Sequence, residues 1–151
     1  MPDELNQRSG ARKSVFIAIV AVAALSLGAR AASAQGGTDI WLASIEVNGG
    51  QLRVGTPRNL TQRPGYDNQP SFTPDGSAIL YTRIEDGGPP DIYRVPVGGG
   101  APSPMTRTVV ESEYSATPMP DGRGFSVIRV EADSTQRLWA FDWDGTPRRV
   151  I

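Results

Sequence analysis

Four carboxylates stand where the pattern of the chain could let them do chemistry: Asp67, beside Asn68, then Asp75, Glu113 and Asp121. Side chains of this type facing one channel bind polar ligands. As a pair roughly 5–10 Å apart across a cleft they can hydrolyse a glycoside, one as acid and the other as base or nucleophile. Glu111 beside Glu113, and Asp142 beside Asp144, repeat the theme. Asp142-Trp143-Asp144-Gly145 also echoes the interior of a calcium loop, which needs a further oxygen ligand before it and a Glu at its twelfth position. A plainer use competes with all of these, because Asp and Asn side chains accept backbone N–H bonds in tight turns. Asp67, Asp75, Glu113 and Asp121 are therefore candidate ligand-binding residues with turn capping as the alternative. No catalytic residue and no metal ligand is assigned.

The rest of the composition narrows the chemistry. The chain has no histidine and no cysteine, and Lys13 is its only lysine. That removes a Ser-His-Asp triad, thiol catalysis, disulfides, and thiolate or imidazole metal sites. A formal net charge of −1 supplies no field for nucleic acid. Gly98-Gly99-Gly100 lacks the Lys and the following helix of a phosphate loop and reads as a turn. No cofactor is called for.

The elements that must position these residues are strands arranged in a repeat. Pro74-Asp75-Gly76 recurs as Pro120-Asp121-Gly122, 46 positions later. At the same offset Ile92-Tyr93 matches Leu138-Trp139 and Gly99 matches Gly145, while Leu60-Thr61 and Met105-Thr106 head each unit 45 apart. A period near 46 is close to that of four-stranded propeller blades, roughly 40–45 residues. Each unit reads as four strands. The first unit has Gln69 to Phe72, Ala78 to Ile84, Asp91 to Val97 and a weak outer strand ending near Arg107. The second has Ala116 to Met119, Gly124 to Glu131, Gln136 to Trp143 and Pro147 to Ile151. Ahead of them, Thr38 to Val47 and Gln51 to Thr61 match only the last two strands of a unit, with Asp39-Ile40-Trp41 standing for Asp91-Ile92-Tyr93. Ten strands are predicted, with Trp41, Tyr93 and Trp139 packing between blades.

Leu60-Thr61, Pro70-Ser71-Phe72-Thr73-Pro74-Asp75-Gly76 and Asp91-Ile92-Tyr93 together resemble the TolB-type (WD40-like, PD40) β-propeller repeat. The resemblance spans nearly all of residues 38–151 and departs in the second unit, where Thr117-Pro118-Met119-Pro120 replaces the aromatic core. The sequence shows no counterpart of the α/β domain that precedes the propeller of TolB itself, so the resemblance is to the repeat class. It implies an all-β fold, a partial β-propeller of about two and a half four-stranded antiparallel blades. Residues 38–61 form the half blade, and 62–107 and 108–151 the full blades. Such a set does not close a ring of four to eight blades. The expected outcomes are a piece of a longer propeller, self-association that completes the ring, or a free-standing stack.

The N-terminus reads as a targeting segment. Arg8, Arg12 and Lys13 precede an apolar run from Val15 to Leu27, short for a membrane span but of signal-peptide length, and Ala32-Ser33-Ala34 offers a cleavage site. Residues 1–34 are expected to leave as a signal peptide. The mature chain would be 35–151, with 11 arginines against 14 carboxylates and no remaining membrane span. The combined expectation is a periplasmic or secreted, non-catalytic module that binds a protein of the cell envelope or a small ligand. The alternative is a hydrolase with a carboxylate-based site.

Overall fold

Residues 37–151 are described by the computed structural model, and every regular element among them is a strand. The expected signal peptide, 1–34, lies outside them. The first full blade is β5 (Tyr66–Phe72), β6 (Ala78–Ile84), β7 (Asp91–Pro96) and β8 (Ser103–Pro104), hydrogen-bonded in sequence order. The second is β9 (Ser112–Pro118), β10 (Gly124–Val130), β11 (Gln136–Asp142) and β12 (Pro147–Val150), again in order and antiparallel throughout. Ahead of them runs one long two-stranded ribbon. Its two arms are β1 (Trp41–Leu42) with β2 (Ile45–Asn48), and β3 (Gln51–Val54) with β4 (Arg58–Asn59). The fold is the partial propeller expected, in twelve strand segments rather than ten. The ribbon breaks where Gly55-Thr56-Pro57 puts one extra residue against Ala43-Ser44, and Pro57 has no N–H for a ladder.

Both inner strands begin earlier than their sequences suggest. Tyr66 to Asn68 and Ser112 to Tyr114 are already paired, because a bulge in each strand absorbs one extra residue before pairing resumes. The bulges fall at equivalent places and hold Gln69 (φ 55°) and Ser115 (φ 53°) in left-handed conformation. Gln69 Oε1 accepts the Thr82 hydroxyl at 2.7 Å, and Ser115 N–H donates to Thr82 Oγ1 at 3.1 Å. The two bulges thereby tie the inner strands of neighbouring blades together.

Alternation along the strands buries a different set on each face. Leu80 and Ile92 on the trailing face of the first full blade meet Ala116, Phe125, Val127 and Phe141 of the second, all essentially buried, with Phe125 stacked on Phe141 at 5.7 Å. On the leading face Ile79, Tyr81 and Val95 meet Ile40 of the ribbon. Tyr93 and Trp139 pack against these two cores as expected, but Trp41 is 60% exposed. Its face of the ribbon meets no blade among the described residues. Among those residues no helix is long and apolar enough to cross a membrane.

Candidate functional site

The repeat is written in hydrogen bonds. In the ribbon, Ile40 N–H donates to Thr61 Oγ1 (3.1 Å), Leu60 N–H donates to the Ile40 carbonyl (2.8 Å), and Thr61 Oγ1 donates to Asp39 (3.3 Å). In the first full blade Ile92 N–H donates to Thr106 Oγ1 (2.9 Å), Met105 N–H to the Ile92 carbonyl (2.7 Å) and Thr106 Oγ1 to Asp91 (3.1 Å). The Leu-Thr and Asp-Ile elements of each repeat thus form a clasp between its last two strands. In the second blade Ile151 N–H still reaches the Leu138 carbonyl at 2.8 Å, with Arg137 in place of the aspartate.

The four candidate carboxylates divide between the two ends of the sheets. Asp67 and Glu113 sit at the starts of β5 and β9, 1% and 0% exposed. Arg63 donates to Asp67 Oδ1 through Nη2 (2.9 Å) and Nε (3.2 Å) and spans to the Ile84 carbonyl (2.8 Å). Glu113 Oε2 accepts Thr108 Oγ1 at 2.8 Å, and its other oxygen lies 3.4 Å from Arg129 Nε without a hydrogen bond. Burial pushes the Glu113 carboxyl up to about 7, opposed by the Thr108 bond and by Arg129. Both acids also hold the blades in sequence: Asp67 N–H donates to the Thr38 carbonyl (3.0 Å) and Glu113 N–H to that of Pro90 (2.8 Å).

Asp75 and Asp121 occupy the Pro-Asp-Gly turns at the opposite end. Thr73 Oγ1 (2.6 Å), Ser77 N–H (3.1 Å) and Ser77 Oγ (2.8 Å) all donate to Asp75, which holds its carboxyl down at about 2. Asp121 accepts Arg123 N–H at 3.0 Å. Turn capping is what these two do. Asp67 and Glu113 are joined to blade junctions, and the structure brings no two of the four into one open cleft. Asp142-Trp143-Asp144-Gly145 is likewise a turn, closed by Gly145 N–H to Asp142 O at 2.9 Å. Among the described residues no group of three acidic side chains could hold a metal ion.

One open concave surface lies between the two full blades at the turn end. It is a groove of about 570 Å³ walled by Pro74 and Asp75 of one turn, Trp143 of the other, and Met105 and Arg94 of the first full blade. Trp143 is fixed by its Nε1–H donating to Gly122 O (2.9 Å) and by its tilt against Phe125 (5.8 Å between ring centroids). Gly145 lets the second blade come this close: its φ is 85°, and a Cβ there would lie 1.8 Å from the Met105 carbonyl oxygen. Arg94 makes no ion pair with any described residue, and its one side-chain bond is a long 3.4 Å contact with Ser77 Oγ. The groove therefore offers an aromatic wall, a thioether and a largely free guanidinium, a set suited to holding a ligand. The sequence pointed to its acids and missed Arg94, Met105 and Trp143, which come together only when two units stack.

A second repeated constellation also went unread. Arg83 lies over the Tyr93 ring (4.6 Å) and Arg129 over the Trp139 ring (5.0 Å), with Glu85 ion-paired to Arg83 and Glu131 accepting Trp139 Nε1–H at 2.7 Å. The offset of 46 between Arg83 and Arg129, and between Glu85 and Glu131, was its available signal.

No family model matches the chain. A 43-residue stretch, 28% of the chain, is 46% identical to the Tol-Pal system protein TolB of Bordetella pertussis, and the same holds for Bordetella parapertussis. The chain spans about a tenth of the length of these curated relatives. Among solved structures, one assigned as TolB from Agrobacterium tumefaciens superposes with a TM-score of 0.55 at 20% identity, over 76% of this chain and 46% of that one. TolB from Acinetobacter baumannii gives 0.52 at 22% identity, over 74% and 32%. The chain is built as a TolB-like β-propeller repeat protein.

Proposed function

We propose that this chain is an exported, non-catalytic propeller module of the cell envelope that binds a partner protein through the groove between its two full blades. The observation that carries the reading is the division of labour among the polar groups. The four candidate carboxylates are spent on turns and blade junctions, while Arg94, Trp143 and Met105 face an open groove. Relatives named as Tol-Pal system proteins support a role within an assembly. The apolar run after Arg12 and Lys13 supports export, with cleavage after Ala34.

The test is chemical cross-linking in envelope extract with the wild-type chain, Arg94→Ala and Trp143→Ala. A specific cross-linked protein that weakens about tenfold in both variants is the expected result, since each removes a distinct part of the groove. Capture that is indifferent to both substitutions overturns the groove as the site. N-terminal sequencing of the exported protein should begin at Gln35. Hydrolysis of a glycoside or lactone that vanishes in Glu113→Gln would replace this reading with an enzyme.

A further inference from the structure

The two full blades share one plan, so the positions where they differ are not dictated by the blade architecture. At the offset of 46 that carries the repeat, Arg94 answers to Ala140 and Trp143 to Val97. Ala140 is buried, and Val97 packs into the core on the leading face of its blade. Arg94 follows Ile92 by two positions on a regularly paired strand and therefore lies on the same trailing face. There the apolar contacts of Leu80 and Ile92 with the second blade end and the groove begins, with Ser103 opposite Arg94 on the next strand. Both departures from the repeat meet in this one groove, and its walls belong to two complete blades.

The polar groups of the groove leave one kind of bond unmade. Thr73 Oγ1 donates to Asp75 at 2.6 Å and accepts the Ala78 N–H at 3.0 Å. Asp75 takes two further bonds from Ser77, and Trp143 Nε1–H is given to Gly122 O. What remains is the Arg94 guanidinium, a planar fork of donors with one long contact to Ser77 Oγ. We infer that the groove recognises an acidic segment of the partner protein, a Glu or Asp side chain on Arg94 with a neighbouring apolar side chain against Trp143 and Met105. This inference rests on the groove reading of the proposed function and adds the chemistry of the partner. The fork fits a carboxylate with two parallel bonds and fixes its orientation, at the edge of an apolar core where such a bond is least weakened by water. The indole, its N–H already spent, offers the apolar segment its face. Asp75 limits the charge that fits. Its three bonds keep it ionised, so one arginine balances one carboxylate, whereas a doubly charged phosphate brings a second, unbalanced charge beside Asp75.

The test labels the full chain with 5-fluorotryptophan, so that Trp41, Trp139 and Trp143 each give a fluorine resonance, that of Trp143 being assigned with Trp143→Phe. The probes are capped pentapeptides, Gly-Leu-Glu-Leu-Gly and its counterparts with Gln, Lys or phosphoserine at the centre. The Glu peptide should move the Trp143 resonance saturably and leave those of Trp41 and Trp139 in place. The Gln peptide should bind about tenfold more weakly, and Lys more weakly still. On Arg94→Gln the Glu peptide should lose a similar factor and bind no better than the Gln peptide, which ties the preference to that one guanidinium. The comparison of Glu with Gln on the wild-type chain needs no variant to fold. Equal binding of these two peptides overturns the inference but leaves the groove as a binding site. Tighter binding of the phosphoserine peptide overturns the carboxylate in favour of a phosphorylated partner. A Trp143 resonance that no peptide moves overturns the inference as well, while cross-linking in envelope extract judges the proposed function separately.

Discussion

Glu113 is an ionisable side chain taken out of water by the fold. It is fully buried, one oxygen has a hydrogen bond and the other has none. With its carboxyl raised to about 7 from an ordinary 4.5, the native state holds a proton that the unfolded chain releases earlier. Its favourable contribution is complete below about pH 4.5 and is lost as the pH climbs through 7. Glu113→Gln keeps the shape and removes the titration. The variant should therefore gain about 1–3 kcal/mol on wild type between pH 5 and pH 8, read as the difference in urea midpoints at the two values. Parallel pH dependence in both proteins would show that Glu113 does not titrate across this range. Asp75 has the opposite sign. Its carboxyl is held near 2 by Thr73 and Ser77, so its contribution is present above its ordinary 3.8 and fades only as the pH falls toward 2. The sequence marked both residues as polar and turn-adjacent. It could not distinguish a solvent-facing cap from a buried junction acid, because that depends on which blade lies beside each one.

At the scale of elements, the two full blades hold together through an apolar core flanked by backbone and side-chain hydrogen bonds, and its tolerances are narrow. Phe125 is completely buried between Phe141 and Trp143. Phe125→Ala should cost about 3–5 kcal/mol and lower the thermal midpoint accordingly. Gly145→Ala is smaller in volume but doubly penalised. It asks an L-residue for a φ of 85° and sets a methyl against the Met105 carbonyl, so a loss of about 2 kcal/mol or more is expected in urea unfolding. Strands β6, β7, β10 and β11 were legible because they are apolar, β-branched or aromatic, and end in Pro or Gly turns. The inner strands were read short because Asp67-Asn68-Gln69-Pro70 looks like a loop, and the bulge at Gln69 that allows pairing on both sides of it leaves no apolar trace. The ribbon was read as two continuous strands because a break made by one surplus residue is a property of pairing, which neither strand shows alone.

At the scale of the molecule, protection should fall from the inter-blade core toward the ribbon tip, where Ile45, Val47, Leu52 and Val54 are each about two-thirds exposed or more. Amide hydrogen exchange should be fastest in β2 and β3 and slowest in β6, β7 and β10; uniform rates would contradict a stability concentrated at the blade junctions. The repeat period and blade architecture were readable from matched residues at one offset, whereas the groove and the Arg-aromatic stacks were not, because each needs two strands or two blades to exist. The clasp has a further consequence. Leu60, Met105 and Ile151 make the same bond to Ile40, Ile92 and Leu138, so during refolding an outer strand carries little local information about which sheet it should close. Pairing of an outer strand with another blade's clasp would compete with the correct local closure. Refolding should then slow as the clasps are made more alike, and quicken when one of them is given a different pair.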